Sequence, residues 1–266
     1  LGSLAAALQL VVMIFTPPVV QAVPLSFLLD PTGNVRSNNW YQLSSMRFTV
    51  FADKADEPLA RYGLMALEEA YPPMGAILGV HLQDKPPLRP VPSENIESWF
   101  DRIPVVINTA IEGGGFANPV TQNIELKIAS GSQRALFQHE LVHRLMYEHM
   151  DLAVGPAGRV FTLAMTPTWW IEGLAEMLTE SIGRLQTAGV ARTMALRNRH
   201  PTWNRLHALY DVDSFDTFLR GYVTSGRLFR FLASDPKVPD LFGLHRKLLL
   251  QTIIPPFVTA EDFFFL

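Results

Sequence analysis

The chain has no cysteine among its 266 residues. That excludes a disulfide scaffold, a thiolate metal site and a cysteine nucleophile, and leaves the compartment open. An excess of charge of one sign is also missing: 22 basic residues face 25 acidic ones, for a formal net charge of −3. This balance gives no reason to expect nucleic acid or an anionic membrane surface as a partner. Arginines gather between Arg184 and Arg230, but acidic and apolar residues intervene, as on ordinary solvated helix faces. Internal repeats and low-complexity tracts are lacking too. What is plentiful is apolar material, 48% of the chain, enough for one large core or two lobes.

Charge is absent altogether from Leu1 to Leu29. Leu4 to Phe15 is a compact apolar run, Pro17 and Pro18 break it, and Val20-Gln21-Ala22 has the small-residue pattern of a signal-peptidase site. Residues 1–22 are therefore expected to be an export signal cleaved after Ala22, from a start that lacks its basic leader. An uncleaved membrane anchor is the alternative, since the stretch approaches spanning length. The location expected is periplasmic, secreted or at the cell envelope, with membrane contact only through such an anchor.

The most informative stretch is His139-Glu140-Leu141-Val142-His143. Residues four apart share one face of a helix, so both imidazoles can turn to one cation, with Glu140 beside them. A zinc ion lowers the pKa of its water to about 7, and a neighbouring carboxylate can take the proton as the oxygen attacks a carbonyl. Five residues with three fixed positions also arise by chance. The flanks decide: Gly131 and Ser132 offer a break and an N-cap, and Leu136, Phe137, Leu141, Val142, Leu145 and Met146 make the helix apolar around most of its girth. A buried helix must give its charged side chains partners.

A catalytic zinc takes three protein ligands and leaves a fourth position open. Two residues compete for third place. His149 completes the spacing of the metzincin peptidases, and Met165-Thr166-Pro167 looks like their methionine turn; yet Met146 stands where those proteins use a glycine to turn the chain, and continued helix carries His149 away. The other is Glu172. Thr166 is a good N-cap and Pro167 a good first residue for a helix to Ile182, stopped by Gly183. Glu172 and Glu176 lie on one stripe of it, so Glu172 can ligate while Glu176 hydrogen-bonds a ligand histidine and sets its tautomer. The ordinary alternative is a pair of surface carboxylates.

His139-Glu140-x-x-His143 followed by Pro167-x-Trp169-x-x-Glu172-Gly173-x-Ala175-Glu176 resembles the gluzincin peptidases, and more narrowly the bacterial peptidase MA-like relatives of thermolysin. The likeness in layout runs from about Arg47 to Leu250. It implies one zinc per chain held by His139, His143 and Glu172, Glu140 as general base, Glu176 behind a ligand, and a peptide or protein substrate. Gly221 to Leu232 resembles the segment that packs back near the metal in these families. Tyr222 is then the candidate donor to the developing oxyanion, with His207, Tyr210 and Arg227 as alternatives, or else simply a packing residue. The zinc aminopeptidases of the group carry a Gly-x-Met-Glu-Asn segment that holds the substrate amino terminus; Gly113 to Pro119 here has no glutamate, which speaks against an aminopeptidase.

The rest is read as an α+β, zincin-like fold. Residues 23–46 form a polar linker, 47–150 an N-terminal lobe with a mixed sheet and the zinc helix, and 151–266 a mainly helical lobe. Expected elements are a strand over Arg47–Ala52, a helix from Glu57 to Ala70 interrupted by Pro72-Pro73 and resuming to Gly79, an extended connector from Lys85 to Pro92, and a strand over Ile103–Ala110. A turn at Gly113–Gly115 should lead into Asn123–Ala129, an edge strand along which substrate backbone could pair. Thr259 to Leu266 reads as a helix cut short. Two other classes compete with the zinc peptidase: a catalytically silent binding domain on the same fold, and a structural-metal scaffold of the cell envelope.

Overall fold

The computed structural model describes residues 40–82, 91–92, 102–107, 114–119, 122–126, 133–183, 187–207, 215–238 and 240–243. The expectations for residues 1–39, the Lys85–Pro90 connector and residues 244–266 lie outside them. The fold is α+β: the described strands all lie before residue 127, together with one helix over Glu57–Leu78, and the described residues after 127 are mainly helical. Six strands form one mixed sheet: β1 (Trp40–Ser44), β2 (Phe48–Asp53), β3 (Val91–Pro92), β4 (Ile103–Ile107), β5 (Gly115–Ala117) and β6 (Ile124–Leu126), in the spatial order β3-β1-β2-β4-β6-β5.

The centre of the sheet is parallel, β2 with β4 and β4 with β6, and its outer pairs are antiparallel. Every residue of β4 is buried, as parallel strands covered on both faces require. Pro104, which cannot donate to a ladder, falls at the second residue of that strand. Among the described residues the α-helices are α1 (Glu57–Leu78), α2 (Gln133–Met165), α3 (Thr168–Gly183), α4 (Ala188–Leu196), α5 (Trp203–His207) and α6 (Phe215–Ser234), with a short 3-10 helix over Lys54–Asp56. Among the described residues no helix is long and apolar enough to cross a membrane.

Four expectations need correction. Residues 40–44, assigned to a linker, pair with β2 through a short connection, because Leu43 and Gln42 can be buried there. The Glu68 carboxylate pins that hairpin, accepting from the Ser45 hydroxyl at 2.6 Å, the Arg47 N–H at 2.8 Å and the Arg47 guanidinium at 2.6 Å. Helix α1 is not interrupted at Pro72-Pro73. Both prolines are exposed, where water can serve the carbonyls they leave unbonded, while Tyr71, Met74 and Leu78 continue the buried face. It ends at Gly79 with φ +69, a left-handed C-cap that glycine accepts without a steric cost.

The third correction concerns the sheet edge. Strand β6 is interior, flanked by β4 and β5, so the outer strand on this side is β5, in a stretch read as a turn. Asn118 to Asn123 closes the β5–β6 hairpin, with the Asn118 N–H on the Asn123 carbonyl at 2.8 Å and Gln122 at φ 59. Last, the lobe boundary at residue 150 falls inside α2, which runs unbroken from Gln133 to Met165. That continuity keeps Met146 helical and carries His149 away from the other histidines.

Core packing brings α2, α3 and α6 together. Trp169 and Trp170 are buried, with Phe229 of α6 edge-to-face with Trp170 at 4.7 Å and Trp203 at 5.1 Å from Trp169. Two glycines set the approach of α3 to α6. A Cβ on Gly173 would meet Phe229 and the Ser225 carbonyl at 2.7–2.8 Å, and one on Gly226 would meet Glu176 Cβ at 2.7 Å.

Candidate metal centre

His139 and His143 project from one stripe of α2, and Glu172 from the first turns of α3. Their ligand atoms meet: His139 Nε2 to His143 Nε2 is 3.0 Å, His139 Nε2 to Glu172 Oε2 3.1 Å, and His143 Nε2 to Glu172 Oε2 3.2 Å. All three residues are buried. Ligand bonds of about 2.0–2.1 Å in a tetrahedron place neighbouring ligand atoms about 3.3 Å apart, so the observed triangle fits three corners of such a site. This buried group can hold a metal ion.

The protons support that reading. His139 Nδ1 donates to Glu176 Oε1 at 3.1 Å. In neutral His139 the proton then belongs on Nδ1, leaving the Nε2 lone pair for the shared point. Two imidazole nitrogens 3.0 Å apart, both near one carboxylate oxygen, repel unless a cation or proton lies among them. Burial alone would lower the His139 pKa, but its hydrogen bonds to Glu172 and Glu176 outweigh that and raise it well above the ordinary histidine value. Burial would likewise raise the Glu172 carboxyl, yet His143 and His139 hold it well below the usual carboxylate range. A centre that favours positive charge here and keeps an anion beside it is suited to a cation.

Glu140 stands on the neighbouring stripe of α2 and lines the same cavity, a space of about 490 Å³ bounded also by Phe116, Leu163, Ile171, Phe218 and Tyr222. Burial raises its pKa; His139, His143 and a hydrogen bond from the Ala117 N–H oppose that rise, and Glu172 adds to it. Strand β5 presses on this carboxylate so closely that a Cβ on Gly115 would lie 2.6–2.9 Å from its Cγ, Oε1 and Cδ. Tyr147, one turn beyond His143, donates its hydroxyl to the Ala117 carbonyl at 3.0 Å and so ties the strand to α2. Burial pushes the Tyr147 phenol upward, with Glu140 and Glu172 adding to the shift.

Tyr222 is half-buried in mid-α6, not at a helix start. Its ring stacks on His139 at 5.8 Å with an interplanar angle of 26°, and Phe218 packs against it at 4.4 Å. The alternatives fare differently. Arg227 reaches away to the Thr187 hydroxyl at 3.3 Å and does not line the cavity. Tyr210 and the side chain of His207 lie outside the described residues. His149 is buried on α2 but is not one of the converging group. Thr166 does not cap α3, because its hydroxyl turns back to the Thr162 carbonyl at 2.7 Å; the Pro167 carbonyl receives the first N–H groups instead.

Residues 139, 140, 143, 172, 176 and 222 are thus brought to one place. Gly115, Ala117 and Tyr147 were not foreseen. Tyr147 carried a signal, since 139, 143 and 147 share a helical stripe; Gly115 carried none beyond its neighbouring glycines. Compared with models of known protein families and with curated proteins, the sequence matches none.

Proposed function

We propose that the chain is a zincin-like, zinc-dependent peptidase of gluzincin type that hydrolyses peptide bonds. The observation that carries this reading is the meeting of His139, His143 and Glu172 at 3.0–3.2 Å beside a fourth, open direction that Glu140 lines. Two imidazoles and one carboxylate form a donor set that suits zinc, which when bound polarises a carbonyl and acidifies water.

The chain's own residues do the rest. Glu176 holds His139 in the tautomer that presents Nε2. Glu140 takes a proton from the attacking water at its carboxylate and gives it to the leaving amine nitrogen; its raised pKa suits a group that must both accept and release a proton. Gly115 and the Ala117 N–H fix that carboxylate against the strand. Tyr222, whose ring lies against His139 in the same cavity, is the proposed donor to the oxygen on which negative charge develops. With β6 interior, the outer strand on this side among the described residues is β5, and an extended substrate is proposed to lie beside it, at Gly115, since the Ala117 N–H and carbonyl are taken by Glu140 and Tyr147. Export belongs to the same proposal and rests on the uncharged stretch of residues 1–29.

Glu140→Gln tests the mechanism. It keeps shape and hydrogen bonding but removes the base, so peptide hydrolysis should fall by about 10³-fold or more while metal content stays at one per chain. An unchanged rate would remove the peptidase reading.

A further inference from the structure

A second cavity, about 460 Å³, opens between α4 and α6. Arg197, Arg199 and Arg220 line it, and Asp216 is the only carboxylate among its lining residues. Arg220 is committed to Asp216 one turn earlier on α6. Arg197 and Arg199 are exposed and make no ion pair among the described residues. The wall between them is apolar, with Val190, Met194 and Leu219.

The end of α4 is built to bring those two guanidiniums together. Asn198 takes a left-handed conformation at φ 49. The Arg199 N–H reaches the Met194 carbonyl at 2.9 Å and the Asn198 N–H reaches that of Ala195 at 3.2 Å. These two bonds form a Schellman cap, which reverses the chain so that residues on either side of the turn face one space. Two unmatched guanidiniums over an apolar wall suit a carboxylate on an aliphatic stem, since the planar fork pairs with planar oxyanions.

Helix α6 connects this cavity to the metal centre. Phe218 and Tyr222 line the first cavity, and Asp216 and Arg220, half a turn around the same helix, line the second. A helix with its side chains is about 10–12 Å across, so a chain passing around it from one cavity to the other covers about 16–19 Å, the reach of about five extended residues. We propose that the cavity between α4 and α6 is an anion subsite that takes an acidic side chain of the polypeptide substrate, a few residues from the bond held at the metal centre. That the carboxylate belongs to a substrate rests on the peptidase reading.

The test uses the full chain carrying Glu140→Gln, so that bound peptide stays intact, and titration calorimetry at low salt. The probes are an end-capped peptide with glutamate between apolar residues, its glutamine counterpart, and inorganic phosphate. The glutamate peptide should bind about tenfold tighter than the glutamine one, the scale of a charge-assisted hydrogen bond. Adding Arg197→Gln with Arg199→Gln should bring the two peptides to equal affinity, and Val190→Trp, which fills the cavity mouth, should do the same with both guanidiniums present. Phosphate should compete with the glutamate peptide. Equal affinities in the parent chain, a preference that survives both variants, or phosphate binding without any glutamate preference would overturn the assignment. Cleavage by the wild-type chain against Glu140→Gln is scored separately, so failure of the hydrolase leaves the binding result readable.

Discussion

The two cavities on opposite sides of α6 are close in size, about 490 Å³ and about 460 Å³, and opposite in electrostatic design. Around the candidate metal centre His139, His143, Glu140 and Glu172 are buried and each has a partner: His139 has Glu172 and the partly buried Glu176, Glu172 has both histidines, and Glu140 has the Ala117 N–H. Around the second cavity two guanidiniums stand exposed and, among the described residues, unanswered. Charges in a low-dielectric, closed set interact strongly and are little screened by salt; exposed ones interact weakly and are screened within about 10 Å at 0.1 M. The chemistry we propose therefore falls to the first site, and the choice of partner we propose falls to the second.

The largest break in this contrast should come from Glu172→Ala. Removing one of three ligands leaves two buried imidazoles facing each other, so metal measured by elemental analysis should fall from one per chain to none, and hydrolysis with it. Glutamate-peptide preference at Arg197 and Arg199 should persist. Retention of a full equivalent of metal would mean the three residues are not its ligands.

Tyr222→Phe comes next. The ring that stacks on His139 is kept and the hydroxyl is lost, so kcat should drop by about 10²–10³-fold with KM and metal content nearly constant, the loss seen for one oxyanion donor. An unchanged kcat would return Tyr222 to a packing role.

Glu176→Gln probes the closed set from behind. It weakens the acceptor for His139 Nδ1–H without touching the ligand atoms, so metal affinity should fall about 10–100-fold in a competitive chelator titration. Equal affinity in variant and wild type would mean that Glu176 is an incidental neighbour.

Smallest is the pH dependence of the metal-free chain. His139 has a raised folded pKa, so its stabilising contribution is complete below the ordinary value of 6.5 and is lost as pH climbs through the raised one. Glu172 has a depressed folded pKa, so its contribution is complete above the ordinary value of 4.5 and is lost as pH falls through the depressed one. Denaturant midpoints of the metal-free chain should therefore be highest in the window containing both ordinary values and decline on either side. Metal should extend the alkaline side, because it takes neutral imidazoles. A flat profile would show that the pair adds nothing to folding.

Much of the candidate metal centre was legible because helical spacing is a local property. His139, Glu140 and His143 lie within five residues, and Glu172 and Glu176 within five more, so a 3.6-residue repeat alone puts each set on a face. The strands were less legible. Trp40–Ser44 directly follows the polar run Ser37-Asn38-Asn39 and so resembles the end of a linker, and Gly115–Ala117 is only three residues long; each is a strand because of the neighbour it pairs with. Pro72-Pro73 misled for the same reason in reverse: local propensity says break, while the buried Tyr71, Met74 and Leu78 hold the helix through it.

By itself, the order of residues determined which groups share a helix face, which stretches are apolar enough to be buried, and that no thiol chemistry is available. Only the tertiary structure decided that two helices meet with their ligand atoms 3.0–3.2 Å apart, that β5 and not β6 forms the edge beside Glu140, and that α6 separates two cavities. Spacing along a helix follows from backbone geometry common to every chain. The distance between helices depends on close packing at particular points such as Gly173 and Gly226, where a single methyl group would force the partners apart.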